Sequence, residues 1–283
     1  MISIIIPAHN ESAVIARGLE ALITGAKPDE LEIVVVCNGC TDDTAEIAAR
    51  FGPVVRVTET PIASKTNALN IGDSIARFLP RIYVDADIVI KIDAVRELVR
   101  HLAKNGIVAV APVPRFDLTG CSPSVRAYYA VRSRLPSARQ GIGGSGVYAL
   151  SSKGRARFGE FPNIKADDAY VRMQFGRWER ETVASATSTV YAPRTLRHLR
   201  AIRTRIYSGT QELVRSFPGL QVNADATNNR ALLGLMKRPT MWYGVIVYLY
   251  VNIIARSIAY MSRGRTFNWA HDQSSRRPFS PIN

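Results

Sequence analysis

Two aspartates close the apolar run Arg81-Ile82-Tyr83-Val84-Asp85-Ala86-Asp87. A hydrophobic strand that stops on Asp-x-Asp sets two carboxylates at the carboxyl edge of a sheet, where open α/β sheets bind ligands. Two hard oxygen ligands beside an open position suit Mg2+ or Mn2+ held jointly with a substrate diphosphate. Asp is also common in turns, so a pair that only caps the turn is the plain alternative. A second acidic pair, Asp167-Asp168, opens a helical segment. Like-charge repulsion raises one pKa of such a pair and suits it to general-base work; two acids meeting a helix dipole is the structural alternative. Arg205, with Arg203, offers charge-assisted hydrogen bonds to phosphate oxygens, or belongs to an exposed basic face. Lys65 is either a ligand contact or a solvated first-turn lysine, and His198 is either an extra metal ligand or, by preference, a partly buried structural histidine.

Strand and helix signals alternate around these residues. Ile2–Pro7 is an apolar run, followed by Val14, Ile15, Gly18, Leu19 and Leu22 at helical spacing. Glu32–Cys37 predicts a second buried strand, and Thr41-Asp42-Asp43 a cap and acidic first turn for a helix through Phe51. Gly52-Pro53 closes that helix. Val54–Val57 predicts a third strand, Ser64 caps a helix to about Phe78, and the Asp-x-Asp strand follows. A helix near 93–104 and a strand at 107–112 continue the pattern. The fold class expected is α/β, a mostly parallel sheet covered by helices. After Pro114 the alternation breaks down: a helix over 122–135, a glycine-rich turn at Gly141–Gly146, a strand at Val147–Leu150, a helix over 167–175, and a long basic helix or helix pair over Arg194–Phe217. The tail 264–283 is polar and loosely held.

In order along the chain, six short motifs resemble those of an inverting, nucleotide-sugar-dependent glycosyltransferase of family 2 with the GT-A fold, from Ser3 to about Gly209. Ser3-Ile-Ile-Ile-Pro-Ala-His-Asn-Glu11 resembles the opening strand, whose end, Pro7, Ala8, Asn10 and Glu11, would cradle base and ribose. Val34 to Thr44 resembles the second motif and Ser64 to Gly72 the third, which adds Lys65 to the donor contacts. Asp85-Ala86-Asp87 matches the metal motif, implying Mn2+ or Mg2+ on Asp85 and Asp87 with the diphosphate. Gly143-Gly144-Ser145-Gly146, followed by Asp167-Asp168, resembles the acceptor loop and catalytic-base motif, with Asp168 as base. Arg205-Ile-Tyr-Ser-Gly209 resembles the element that closes over the diphosphate. Two positions depart from the pattern. Asn38 stands where an acid is usual, though its carbonyl still accepts from a base N–H; Ile206 stands where Trp is common. The resemblance divides the chain into 1–218, a transferase domain (1–113 for the nucleotide sugar, 114–218 for acceptor and catalysis), and 219–283, a helical extension.

Composition bounds the rest. The chain has 283 residues, 47% hydrophobic and 21% charged, enough to bury a full core. Cys37, Cys40 and Cys121 are sparse, consistent with a reducing compartment; the Cys37–Cys40 spacing has no second ligand pair to make a zinc site. No signal peptide precedes the first strand. Of the net charge of +14, most lies in residues 191–283, with 14 Lys/Arg against Glu212, Asp225 and Asp272. Such a tail meets an anionic surface, nucleic acid or lipid. Pro239–Ala255 carries no charge and is flanked by Lys237-Arg238 and by Arg256, Arg263 and Arg265. It reads as a helix lying in a membrane surface, as a short span, or as a packed soluble helix. Its basic flanks favour peripheral attachment to an anionic membrane, on the cytoplasmic face, which an acceptor on a lipid carrier would explain. The expected function is therefore metal-dependent transfer of a sugar from a UDP- or GDP-type donor to a saccharide or lipid-linked hydroxyl, in polysaccharide or glycolipid synthesis. A non-catalytic member that binds nucleotide sugar or a partner is the alternative. A sugar-phosphate nucleotidyltransferase would need a glycine-rich phosphate loop where Pro7-Ala-His-Asn-Glu11 stands. A nucleic-acid-binding module would leave Asp85, Asp87 and Asp168 without a role, and no aromatic-basic strand motif appears.

Overall fold

The computed structural model describes residues 1–138, 142–223 and 228–262. The tail 264–283 and Gly141 at the start of the glycine turn lie outside them. Eight strands form one sheet: β1 (Ile2–Ala8), β2 (Leu31–Asn38), β3 (Val55–Thr60), β4 (Arg81–Val84), β5 (Val89–Ile90), β6 (Ala109–Asp117), β7 (Val147–Leu150) and β8 (Arg180–Tyr191). Their order is β3-β2-β1-β4-β7-β6-β8-β5. The helices are α1 (Ile15–Ile23), α2 (Thr44–Ala49), α3 (Lys65–Ile75), α4 (Ile92–Leu102), α5 (Pro123–Arg132), α6 (Ser152–Arg155), α7 (Asp167–Met173), α8 (Leu196–Ser216), α9 (Asn229–Met236) and α10 (Trp242–Met261). The chain gathers into two compact units. The first holds Met1–Arg115, Gly141–Asn163 and Asp167–Val190; the second holds Phe116–Gln140, Ile164–Ala166 and Tyr191–Asn283.

In the first unit β3, β2, β1 and β4 run parallel, and β7 enters antiparallel to both β4 and β6. Parallel strands covered on both faces read as unbroken apolar runs, and β1 and β2 are buried along their whole length. This is the mostly parallel α/β sheet that the alternation predicts. Ile4, Ile6, Ile33, Val35, Ile82 and Val84 share one face with Leu19, Leu22, Val95 and Leu98 of α1 and α4. Each such side chain contributes about 1.5–3 kcal/mol on burial. The other face takes α3, where Gly72 brings the helix so close that a Cβ there would meet Ile5 Cγ2 at 2.5 Å.

Several elements differ from the sequence expectations, most of them by a few residues at an end. α2 begins at Thr44 and ends at Ala49, shorter than Thr41–Phe51, because Asp42 rather than Thr41 receives the Thr44 N–H at 3.2 Å. Gly52, at φ +74°, opens a 3-10 turn over Gly52–Val54. The twelve-residue β8, with the short β5, joins the sheet without an apolar run to announce it. The basic segment from Arg194 is a single helix, α8.

In the second unit α10 packs through Val247 and Val251 against Val125, Tyr128 and Leu199. At Gly244 it crosses α5 so closely that a Cβ would stand 2.9 Å from the Ala127 carbonyl. Its opposite side leaves Tyr243, Ile246, Tyr250, Ile253 and Tyr260 exposed at helical spacing. Pro239–Met261, with mean hydropathy 1.5, is long and apolar enough to cross a membrane by length and composition.

Candidate active site

The first unit brings three charged side chains together at the carboxyl end of the parallel strands. The Lys65 ammonium lies 2.7 Å from Asp85 Oδ1 and 2.9 Å from Asp167 Oδ2. The placement follows from α3 and β4. Ser64 caps α3 by accepting the Asn67 N–H at 3.3 Å, which puts Lys65 in the first turn. Near the other end of α3, buried Asp73 accepts from the Tyr83 hydroxyl at 2.8 Å and from Arg81 and Arg155. Eight helical residues at ~1.5 Å and four strand residues at ~3.3 Å cover nearly the same ~12–13 Å. Pinning Asp73 to Arg81 and Tyr83 therefore sets Lys65 alongside Asp85.

Electrostatics follow burial. Desolvation alone would discharge Lys65, but Asp167 and Asp85, then Asp168, outweigh it and raise its pKa. Asp167 is 5% exposed, and burial pushes its carboxyl up to about 6. Lys65 pulls it down and Asp168 and Asp85 push it up again. An ion-paired acid is ordinarily depressed; here burial wins because one ammonium is shared between two carboxylates.

Asp85 sits on a tight turn. Its N–H donates to Gly146 O at 2.8 Å, and its carbonyl accepts from Ile88 N–H at 3.0 Å. Ala86 is buried, and the Asp87 side chain is half-buried in the same turn. Gly146 holds φ +63°, and a Cβ there would run into Ile88 and stand 3.3 Å from Asp85 Oδ2. Gly143 faces the acidic pair: its Cβ would lie 3.8 Å from Asp168 Oδ2 and 3.2 Å from the Arg172 guanidinium. Gly144 has φ +78°. Ser145 turns inward, its hydroxyl donating to Val147 O at 2.8 Å, so only backbone is offered by this loop. Asp168 Oδ1 accepts the Ala169 N–H at 2.7 Å in the first turn of α7, and its other oxygen points to the glycines.

Beside this group the ends of β1 and β2 are laced together. Asn10 Oδ1 accepts from Thr41 N–H, and Glu11 N–H donates to Thr44 Oγ1, both at 2.8 Å. Asn10 holds φ +53°, and Pro7 and Ala8 are buried within β1. Asn38 Nδ2 donates to Ala8 O at 2.8 Å, which settles the amide orientation because a carbonyl needs a donor. Its Oδ1 is thereby left as an acceptor. Burial pushes the Cys37 thiol up to about 12, so it is no ready metal ligand. Among the described residues no three His, Cys, Asp or Glu side chains are grouped to hold a metal.

Arg205 is an exposed residue of α8 in the second unit. His198 is engaged by Thr195 Oγ1, which caps α8, at 2.7 Å. Tyr148 escaped the sequence reading. Its hydroxyl is buried without a partner, and the charges of Asp167, Asp85 and Asp168, after burial, hold its pKa far up. On a strand it reads as core, and only the pairing of Tyr83 with Tyr148 across β4 and β7 reveals where it points.

The sheet order and the Asp-x-Asp ending of β4 define the GT-A class of glycosyltransferase fold. Residues 3–142, just under half of the chain, match the protein-family model described as glycosyl transferase family 2. Over 79 residues it is 38% identical to the probable glycosyltransferase YdaM of Bacillus subtilis strain 168. That match covers 25% of this chain and 19% of the relative, about a fifth of its length. The fold is similar to that of mannosyltransferase PcManGT from Pyrobaculum calidifontis, described in complex with GDP-Man and Mn2+. There the TM-score is 0.62 at 21% identity, over 94% of this chain and 76% of that one. It is similar also to glucosyl-3-phosphoglycerate synthase from Mycobacterium tuberculosis, described with Mn2+, UDP and glucosyl-3-phosphoglycerate: TM-score 0.56, 21% identity, 75% and 79% coverage. At such identities the likeness is one of fold.

Proposed function

We propose that the chain transfers a sugar, with inversion, from a nucleoside-diphosphate donor to a hydroxyl acceptor, using a divalent metal. The observation that carries this is the Lys65-bridged pair Asp85 and Asp167, set at the carboxyl end of parallel strands beside the loop that Asp168 faces. The carboxylates fit a metal: Asp85 already holds one cation, the Lys65 ammonium, at 2.7 Å. With only Asp85 and Asp87 as protein ligands, the ion would complete its shell from diphosphate and water oxygens, a habit of Mg2+ and Mn2+. Bound there, it would supply the positive charge that offsets the departing diphosphate. The neighbours described with Mn2+ and GDP-Man or UDP support that choice.

The chain's own residues supply the rest. The Asn38 carbonyl accepts from a base N–H, while Pro7, Ala8, Asn10 and Glu11 shape the base and ribose surface. Lys65 moves its charge between Asp85 and the donor phosphates. The backbone of Gly143 and Gly144 bears on the acceptor, and Asp167, with buried Ser145 behind the loop, fixes the Asp168 side. Asp168 takes the acceptor proton as the hydroxyl attacks. Arg205 keeps its motif as its support. On this reading 1–113 binds the nucleotide sugar, 114–218 carries acceptor and base, and 219–283 is an extension. The exposed stripe of α10 and its basic flanks lie on the anionic cytoplasmic face of the cell membrane, where a lipid-linked acceptor of polysaccharide or glycolipid synthesis is found.

The test is nucleoside-diphosphate release from UDP- and GDP-sugars with Mn2+ and lipid or saccharide acceptors. Loss of a positioned general base costs about 10²–10⁴-fold in rate, so Asp168→Asn is expected to lose turnover on that scale and still bind nucleotide. Undiminished turnover would remove Asp168 as base. Nucleotide binding without turnover by the unaltered chain would leave the non-catalytic reading.

A further inference from the structure

The second unit contains half-buried positive charge outside the Lys65, Asp85 and Asp167 group. Its described residues hold 14 Lys/Arg and only two acids, Asp117 and Glu212. Both acids are engaged locally, Asp117 by the Thr119 N–H at 2.8 Å and Glu212 by the Lys165 N–H at 3.3 Å. Two half-buried arginines donate to neutral groups rather than to a carboxylate. Arg203 of α8 donates to Asn252 Oδ1 at 3.2 Å and to the Tyr207 hydroxyl at 3.1 Å. Arg132, at the end of α5, donates to Ser137 Oγ at 2.6 Å. Burial, then the charge of Arg203, lowers the pKa of Arg132. A third arginine, Arg256 of α10, stacks on the Tyr207 ring at 4.9 Å, as Arg203 also does at 4.9 Å.

The same place holds an orphaned donor. Tyr128 is 1% exposed, its ring stacked on Tyr248 at 5.2 Å, and its hydroxyl has no partner. Arg132 follows Tyr128 by one turn of α5, and Tyr248, on which Tyr128 stacks, accepts at its carbonyl from Asn252, the partner of Arg203. Like-charged groups desolvated together destabilise a fold unless something anionic joins them. A planar guanidinium fork matches phosphate oxygens in pairs, and two such forks with a phenol donor match the charge and valence of a dianion.

We propose that Arg132, Arg203 and Tyr128, with Arg256 at the rim, form a binding site for a phosphate group, either a phosphomonoester or inorganic phosphate. The site is built from α5, α8 and α10, and α10 also bears the exposed apolar stripe, so the phosphate can arrive on a lipid or free in solution. It does not draw on the nucleotide reading: nucleotide can bind when this site fails, and the reverse.

The full chain is labelled with phenylglyoxal and each arginine mapped by mass spectrometry, at constant ionic strength. The arms are inorganic phosphate, vesicles carrying phosphatidic acid, and vesicles given equal charge with oleate. At ten times its dissociation constant a ligand slows labelling of occupied residues about tenfold. Protection of Arg132 and Arg203, with exposed Arg215 labelled as before, is the expected result. Protection by inorganic phosphate assigns a free anion; protection by phosphatidic acid alone assigns a headgroup. No protection in either arm, equal protection of Arg215, or oleate as effective as phosphatidic acid overturns the proposal. Calorimetric titration of Arg132→Gln and Arg203→Gln should show phosphate bound about ten- to hundredfold more weakly. Without phosphate their Tm should be unchanged or higher, since an uncompensated charge is gone. A lower Tm with unaltered phosphate affinity means that the arginines are structural and also overturns it. Should either variant fail to fold, the labelling of the unaltered chain decides.

Discussion

At the scale of single residues the site is a problem of three carboxylates and one ammonium. Lys65 neutralises Asp85 and Asp167 at 2.7 and 2.9 Å and is itself about one-fifth exposed, at 21%. Lys65→Met leaves two neighbouring acids without a cation, and removing one partner of a buried pair costs about 3 kcal/mol. The cost has a pH signature. Asp167 is raised to about 6 in the folded chain from an ordinary value of 3.8, so the folded state binds the extra proton between those values. Stability therefore falls as pH rises from about 4 to about 6, and the penalty is fully present above 6. Urea unfolding should find Lys65→Met most destabilised at pH 8 and less so at pH 5, with Asp167→Asn flattening the dependence. A loss that does not change with pH would mean that Asp167 does not carry the strain.

At the scale of elements the chain reads plainly where one physical signal dominates. β1 and β2 are legible because strands buried on both faces are unbroken apolar runs, and β7 was legible to the residue. β8 was not, because Arg-Glu-Thr-Val-Ala-Ser-Ala-Thr-Ser-Thr-Val-Tyr is held by its neighbours and carries small and polar side chains. The acidic pairs and the glycine loop were visible as motifs. The Lys65 bridge, the Tyr148 hydroxyl and the Arg203–Asn252 contact were not, since each depends on elements far apart in sequence. The glycine turn that enters β7 carries its own prediction. Gly146→Ala must accept φ +63° and displace Ile88 against Asp85. Overpacking of this kind costs about 1–3 kcal/mol, and the move of Asp85 should weaken metal-dependent nucleotide binding. Unfolding and binding curves that match the unaltered chain would show that the turn does not hold Asp85.

At the scale of the whole molecule, charge and apolar surface are unevenly shared. The stripe of Tyr243, Ile246, Tyr250 and Ile253 on α10 is exposed, 65% at Ile246, and belongs to the strongly basic second unit. Flotation with phosphatidylglycerol vesicles should recover the chain at low salt and less above about 0.5 M, where the Debye length shrinks to a few Å. Ile246→Glu with Ile253→Glu should abolish recovery; equal recovery of that variant would place the membrane contact elsewhere. The central claim concerns the first unit, a divalent metal and a nucleoside diphosphate held at Asp85 and Asp87. Thermal unfolding with UDP, GDP, TDP, CDP and ADP, each with and without Mn2+, tests it most directly. A ligand at about 100 times its dissociation constant adds roughly 2.7 kcal/mol. The account predicts a stabilisation of that order by one base, dependent on Mn2+ and lost in Asp87→Ala. Stabilisation by none of the five, or one indifferent to Mn2+ and to Asp87, would contradict it.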